Sequence, residues 1–391
     1  MTRIADLVDV PSRGTPTAAP VGTPLSDGFS VVPWTDCTGA DFEAAWLELG
    51  LNAETPNPFS EQWFLLPSLR QFDAGGQVQI ATLVAGCRLV ALMPIWHDRD
   101  YHGRFLPHLA SWLHANIFCG EPLVAPGYSD EFWQRLLDWC DTNHRASAFL
   151  HLGNLPTDGR AYGTLETLTR HDGRCFVSVK RVERAALRHG LSPEEHLASA
   201  MGSKRRSELR RKRRRLEDSG SLVFSRHNDD AGLDHWIDEF LELERAGWKG
   251  SEGSSLASAS ETEALFREAI SGAAANGRLE RLAFHLDGQP VAMLCSLVAP
   301  PFSFGFKTAF DERFGKLSPG LLLQVENLAV LERPDIALCD SCSAPGHSMI
   351  EQIWTDRREL AMVTVGIGGK LRRRIGAALS AIELRRQEKR G

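Results

Sequence analysis

The chain has 391 residues, is 43% hydrophobic and carries a formal net charge of −6; at roughly 100–200 residues per domain this suits two folded domains. No run approaches the roughly 18–20 apolar residues that span a bilayer, and residues 1–28, with an early Asp6 and no apolar stretch, exclude a secretory signal. The charge is uneven: nine of the twelve residues from Lys204 to Arg215 and eight between Lys370 and Arg390 are basic, leaving 27 basic against 47 acidic residues elsewhere.

The Pro, Thr, Gly and Ser of residues 1–28 read as a disordered leader. Helices are expected over Asp41–Leu49 and Ser60–Phe72, the second opened by Ser60 after Pro58. Gln77–Val84 and Leu89–Ile95 form a hairpin pattern turning at Ala85-Gly86. Phe118–Val124 is a weaker strand. Glu131–Thr142 places Phe132, Leu136, Leu137 and Cys140 on one helical face. Ser147–Leu152 and Arg174–Lys180 read as strands.

The second half repeats this order. Ser192-Pro193-Glu194-Glu195 is a helix start with Ser as cap, Pro first and Glu three residues on. Helices follow over Lys204–Asp218, Leu233–Arg245 and Glu261–Asn276. Leu279–Leu286 and Val291–Val298 form a hairpin around Asp287-Gly288. Phe302–Lys307 is a strand, Gly320–Leu331 a helix, and Ile336–Asp340 and Leu360–Val365 the last strands. Both hairpins are apolar on both faces, which suits strands covered on both sides. The repeat predicts an α/β fold of two tandem lobes with mixed central sheets, 29–185 and 186–368, followed by a basic amphipathic tail helix over 369–391.

The most specific stretch is Phe302-Ser-Phe-Gly-Phe-Lys307, then a loop with Arg313 and Lys316, then Ser318-Pro319-Gly320-Leu321-Leu322-Leu323. Free N–H groups and the positive dipole end at a helix start opened by Pro-Gly make an anion site. Arg313 and Lys316 add charge beside it. The stretch is neither a Walker motif nor a dinucleotide fingerprint.

These residues resemble the carrier-binding turn of GNAT-superfamily acyltransferases, and more narrowly the CelD-like branch related to the FemAB transferases. The likeness extends over roughly Leu191–Leu360. It includes the basic segment from Lys204, Leu243-Glu244 with Gly247-Trp248-Lys249-Gly250, Leu286-Asp287-Gly288, Asp340 and Trp354. It implies a tandem GNAT-like fold, acyl-CoA or a related thioester as co-substrate held by the amides at Gly320–Leu322, and no metal. The chemistry it implies is direct attack of a primary amine on the thioester. That chemistry needs a base and donors for the oxyanion rather than a protein nucleophile. The chain departs from the usual pyrophosphate motif of a basic residue followed by closely spaced glycines.

The candidate bases are Glu244, Asp340 and His347; Trp248, Lys249 and Lys307 are candidate substrate contacts. Glu244 precedes Trp248-Lys249-Gly250, and so is expected to have an apolar neighbour, and Asp340 ends a strand, where α/β sheets carry function. Cys339 and Cys342 lack a second Cys pair for a zinc site. The eight cysteines mostly sit in apolar stretches and suit a reducing cytoplasm.

Leu209 and Leu216, one heptad apart, give the Lys204–Arg215 helix a narrow buried stripe within a cationic surface. The expected partner is a small-molecule or lipid amine, such as a long-chain base (the acceptor of bacterial ceramide synthases of the GNAT type) or an envelope sugar. The location is cytoplasmic, with peripheral contact at an anionic inner membrane. The chain has no helix-turn-helix, zinc or stacking pattern for nucleic acid, so the exception is tRNA. A FemAB-like transferase would take its aminoacyl group from tRNA. A third reading is a non-catalytic adaptor in polysaccharide or lipid assembly.

Overall fold

The computed structural model describes residues 25–101, 103, 105–143, 147, 149–247, 250, 252–253, 255–369, 372–373 and 376. The expected leader lies outside these residues up to position 24. So do Trp248, Lys249 and nearly all of the expected tail helix.

The first half runs β1 (Gly28–Pro33), α1 (Ala40–Asn52), α2 (Gln62–Phe72), β2 (Gln79–Ala85), β3 (Arg88–Asp100), β4 (Phe105–Ser111), β5 (Leu123–Val124), α3 (Ser129–Asn143), β6 (Phe149–Pro156), α4 (Arg160–His171) and β7 (Phe176–Arg188). The second half runs α5 (Pro193–Ala200), α6 (Ser203–Glu217), β8 (Leu222–His227), α7 (Leu233–Ala246), α8 (Ser260–Ala275), β9 (Leu279–Leu286), β10 (Gln289–Ala299), β11 (Phe302–Phe310), α9 (Pro319–Asn327), β12 (Leu338–Asp340) and β13 (Asp356–Gly366). The capping box at Ser192 and Glu195 is formed, and both hairpin turns, Gly86-Cys87 and Asp287-Gly288, have two positive φ angles. The first turn thus sits one residue later than expected.

All strands among the described residues join one mixed sheet in the order β1-β2-β3-β4-β6-β13-β7-β12-β11-β10-β9-β8, with β5 paired to β3. Read inward from either edge, the pairing is the same: three antiparallel ladders, one parallel, then one antiparallel. Each half sends its last strand into the other half's sheet. β7 lies against β12, β13 lies against β6, and the two exchanged strands pair with each other at the centre. β7 therefore runs across the division expected near residues 185–186, and the sheet is continuous there.

One face of the sheet carries α1, α2, α7 and α8 around a core shared by both halves, where Trp63, Phe64, Phe240, Phe266 and Phe306 are buried. The close approach of α2 to α8 depends on Gly272, because a Cβ there would lie 2.8 Å from the Trp63 Cβ. On the other face, α3 and α4 cover the first half and α5, α6 and α9 the second.

Candidate functional site

The two parallel ladders are the points where neighbouring strands part. β11 and β12 pair only through Phe302–Leu338, Ser303–Cys339 and Phe304–Asp340. β11 continues to Phe310 while the chain after β12 turns away. Pairing with β10 also skips a residue at Phe306, a bulge that bends the strand there. Between the parted strands lies a cavity of about 850 Å³, within the range of small-ligand sites.

Four elements wall it. β11 contributes Gly305 to Thr308, and the loop after β12 contributes Ser341 to Ser343 and His347 to Ile350. The start of α9 contributes Ser318, Gly320 and Leu321, and α6 contributes Arg205, Glu208, Leu209 and Lys212. Ser318 adopts a left-handed conformation at φ 54°, no side chain caps α9, and the Ser318 hydroxyl instead accepts from the Lys212 ammonium at 2.9 Å. The first-turn amides and a lysine thus converge at one end of the cavity, an arrangement that favours an anion.

At the β11 wall, the Lys307 ammonium donates to Asn116 Oδ1 at 2.7 Å and lies 5.3 Å and 5.6 Å from the ring centres of Phe306 and Phe118. Asn116 and Phe118 belong to the first half. There the equivalent parting of β4 and β6 is filled by the Trp112–Pro122 segment. Its Gly120 N–H donates to Asn154 O, and a Cβ on Gly120 would fall 2.0 Å from the Gly153 carbonyl oxygen. One half thus closes its own cleft and lends the filling segment to the wall of the other's.

Of the residues picked out from sequence, Lys307, Gly320, Leu321 and His347 line the cavity. The reason for Gly320 differs from the expected one. A Cβ there would come within 3.0 Å of both Phe310 and Met349, so the glycine admits protein side chains rather than leaving room for a ligand. Leu322 is buried in the core. Arg313 is exposed and chelated by Asp311 at 2.6 Å, and Lys316 is exposed on the same loop; neither lines the cavity.

Two of the three candidate bases lie elsewhere. Asp340 is wholly buried, accepts from Arg184 at 2.6 Å and Arg358 at 3.5 Å, and takes the Cys342 N–H at 2.9 Å. It neutralises two arginines of the exchanged strands β7 and β13. Glu244 is buried in α7, where its Oε2 accepts from the Leu256 N–H at 2.8 Å. It borders a separate small recess beneath β11. His347 accepts a long bond of 3.4 Å from the Ile350 N–H at Nδ1, which puts the neutral ring's proton on Nε2.

Sequence reading missed Arg205, Glu208 and Lys212 as wall residues. The signal was available: Arg205 lies four before and Lys212 three after the buried Leu209, and Glu208 lies four before Lys212, so helical spacing brings the three to one side. Glu208 is the carboxylate on the cavity wall among the described residues. Burial pushes the Cys339 thiol up to about 12 and Cys342 well above its ordinary value, so both behave as core residues. No group of three or more His, Cys, Asp or Glu among the described residues could hold a metal ion. No helix among them is long and apolar enough to cross a membrane.

Residues 203–341, which hold most of this cavity, match the family model described as an acetyltransferase (GNAT) domain. No curated protein matches the sequence. Among solved structures, FemX aligns over 83% of this chain and 96% of its own at a TM-score of 0.52 and 10% identity. L-PGS from Bacillus licheniformis aligns over 89% and 97%, at 0.51 and 12% identity. A conserved protein of unknown function from Bacteroides thetaiotaomicron VPI-5482 aligns over 83% and 96%, at 0.51 and 11% identity. Such identities establish a shared fold. The parted strands, the uncapped helix start and the matched segment coincide, so the similarity to a GNAT acetyltransferase domain over residues 203–341 falls on the cavity of a tandem α/β fold.

Proposed function

We propose that this chain is an N-acyltransferase that moves an acyl group from acyl-CoA, or a related thioester carrier, to a primary amine. The observation that carries this reading is the large cavity at the parting of β11 and β12, with cations and helix amides at one end. The carrier's phosphates would lie against the α9 start, Lys212 and Arg205. The thioester would lie along β11. The amine nitrogen attacks the thioester carbonyl, the carbon–sulfur bond breaks, and the thiolate leaves and is protonated.

Two wall residues are assigned roles in that step. Glu208, the carboxylate on the wall, takes the proton from the substrate ammonium. Lys307 places positive charge beside the carbonyl oxygen as it becomes negative. The acceptor is proposed to be an amine-bearing lipid, such as a long-chain base, or an envelope sugar, in keeping with the CelD-like resemblance.

The test is release of free thiol from acyl-CoA in the presence of a panel of primary amines. Amine-dependent release is expected, with Glu208→Gln lowering kcat by about 10²-fold or more. Glu208→Gln at full rate would remove Glu208 from the chemistry. Transfer from aminoacyl-tRNA with none from any thioester would replace the proposed donor.

A further inference from the structure

α6 has two cationic sides. Its inner side carries the buried Leu209 and Leu216 with Arg205, Glu208 and Lys212 on the cavity wall. Its outer side shows Lys204, Arg210, Arg211, Arg214 and Arg215 to solvent, and none of these five forms an ion pair with a described residue. By contrast Arg213, on the flank, is held by Glu217 at 2.8 Å and Glu326 at 2.6 Å. The five outer cations are therefore not used to hold the fold.

Beside this helix lies β8, one of the two edge strands of the sheet. Its Phe224 is 37% exposed. The Phe224 ring lies 5.6 Å from Phe284, over which the Arg213 guanidinium sits at 4.7 Å, so Phe224 and α6 share one face of the sheet. Cations around an exposed aromatic form the pattern that seats on an anionic bilayer, where charge draws the protein in and the ring enters the interface.

We infer that the outer side of α6, with Phe224, docks on an anionic membrane surface. The charge distribution favours a bilayer over RNA. The Lys204–Arg215 stretch carries nine cations and one carboxylate, so the remainder of the chain has a net charge of −14. A bilayer touches the cationic face alone, whereas a folded RNA would also lie along the acidic body. The inference does not depend on the reaction proposed above. It brings the helix that walls the cavity to the lipid surface.

The test uses the full chain, with its basic tail unchanged, in sedimentation with vesicles of phosphatidylcholine alone or with about 30% phosphatidylglycerol. Binding is expected only to the anionic vesicles and should weaken as salt rises. Arg210→Glu with Arg214→Glu should weaken it at least 25-fold, taking roughly fivefold per arginine. Phe224→Ser should weaken it several-fold. Arg210→Gln with Arg214→Gln serves if charge reversal lowers the melting temperature. No binding to anionic vesicles, binding indifferent to both arginine pairs, or tighter binding to tRNA through the same arginines would each overturn the inference.

Discussion

Asp340 shows how burial reassigns a residue. It follows a strand, as catalytic carboxylates in α/β proteins do, yet its oxygens are taken by Arg184, Arg358 and the Cys342 N–H. Asp340→Asn would strand two buried guanidinium groups. It should cost about 3–5 kcal/mol of stability, measured by urea unfolding; unchanged stability with lost activity would restore a catalytic role. Glu121 is a second case. It is buried at the start of α4, where its Oε1 accepts from the Ala161 N–H at 3.0 Å, and burial pushes its carboxyl up to about 7. The folded protein keeps this proton to a higher pH than the unfolded chain does. Its contribution is therefore complete in acid and is lost as the pH rises through about 7. Glu121→Gln should remove a decline of roughly 2–3 kcal/mol between about pH 5 and pH 8, read from melting temperatures across that range. An identical pH profile in the variant would show that Glu121 is not its source.

The local elements were legible where short-range chemistry decides them. Ser192 and Glu195 marked a helix start, Asp287-Gly288 marked a turn, and Leu209 with Leu216 marked the buried stripe of α6. Elements that tertiary context stabilises were not seen. β4 carries Pro107 and His108 within its span, α4 starts after Gly159 and holds Gly163, and β8 is an edge strand with Ser, Arg and His in its second half. The exchange of β7 and β13 is set by ladders between residues far apart in the chain, which no local pattern encodes. It also yields a prediction. A fragment of residues 29–185 lacks β13 and is cut within β7, leaving β6 with an open edge. It should be insoluble or lack a cooperative melt, while the full chain unfolds in one transition. A soluble fragment with its own sharp melt would contradict the exchanged architecture.

The molecule uses its two similar halves differently. Both possess a parallel ladder that parts, but Trp112–Pro122 fills the first, and the second stays open with α6 and α9 at its mouth. The sequence pointed to the Phe302–Leu323 segment, which does line the cavity. It did not reveal the contribution of Asn116 and Phe118, because these arrive from the other half through the fold. Nor did it separate the inner from the outer charges of α6, since composition alone counts both as one basic run. The proposed function puts a thioester carrier in the open cleft, at Lys212 and the α9 start. The most direct test is the melting temperature of the full chain with free CoA, acetyl-CoA and a long-chain acyl-CoA, alongside Lys212→Glu. A ligand at about 100 times its Kd stabilises the folded state by roughly 2.7 kcal/mol. A clear upward shift with CoA carriers, abolished by Lys212→Glu, is expected. No shift with any of the three, or an equal shift in Lys212→Glu, would contradict it.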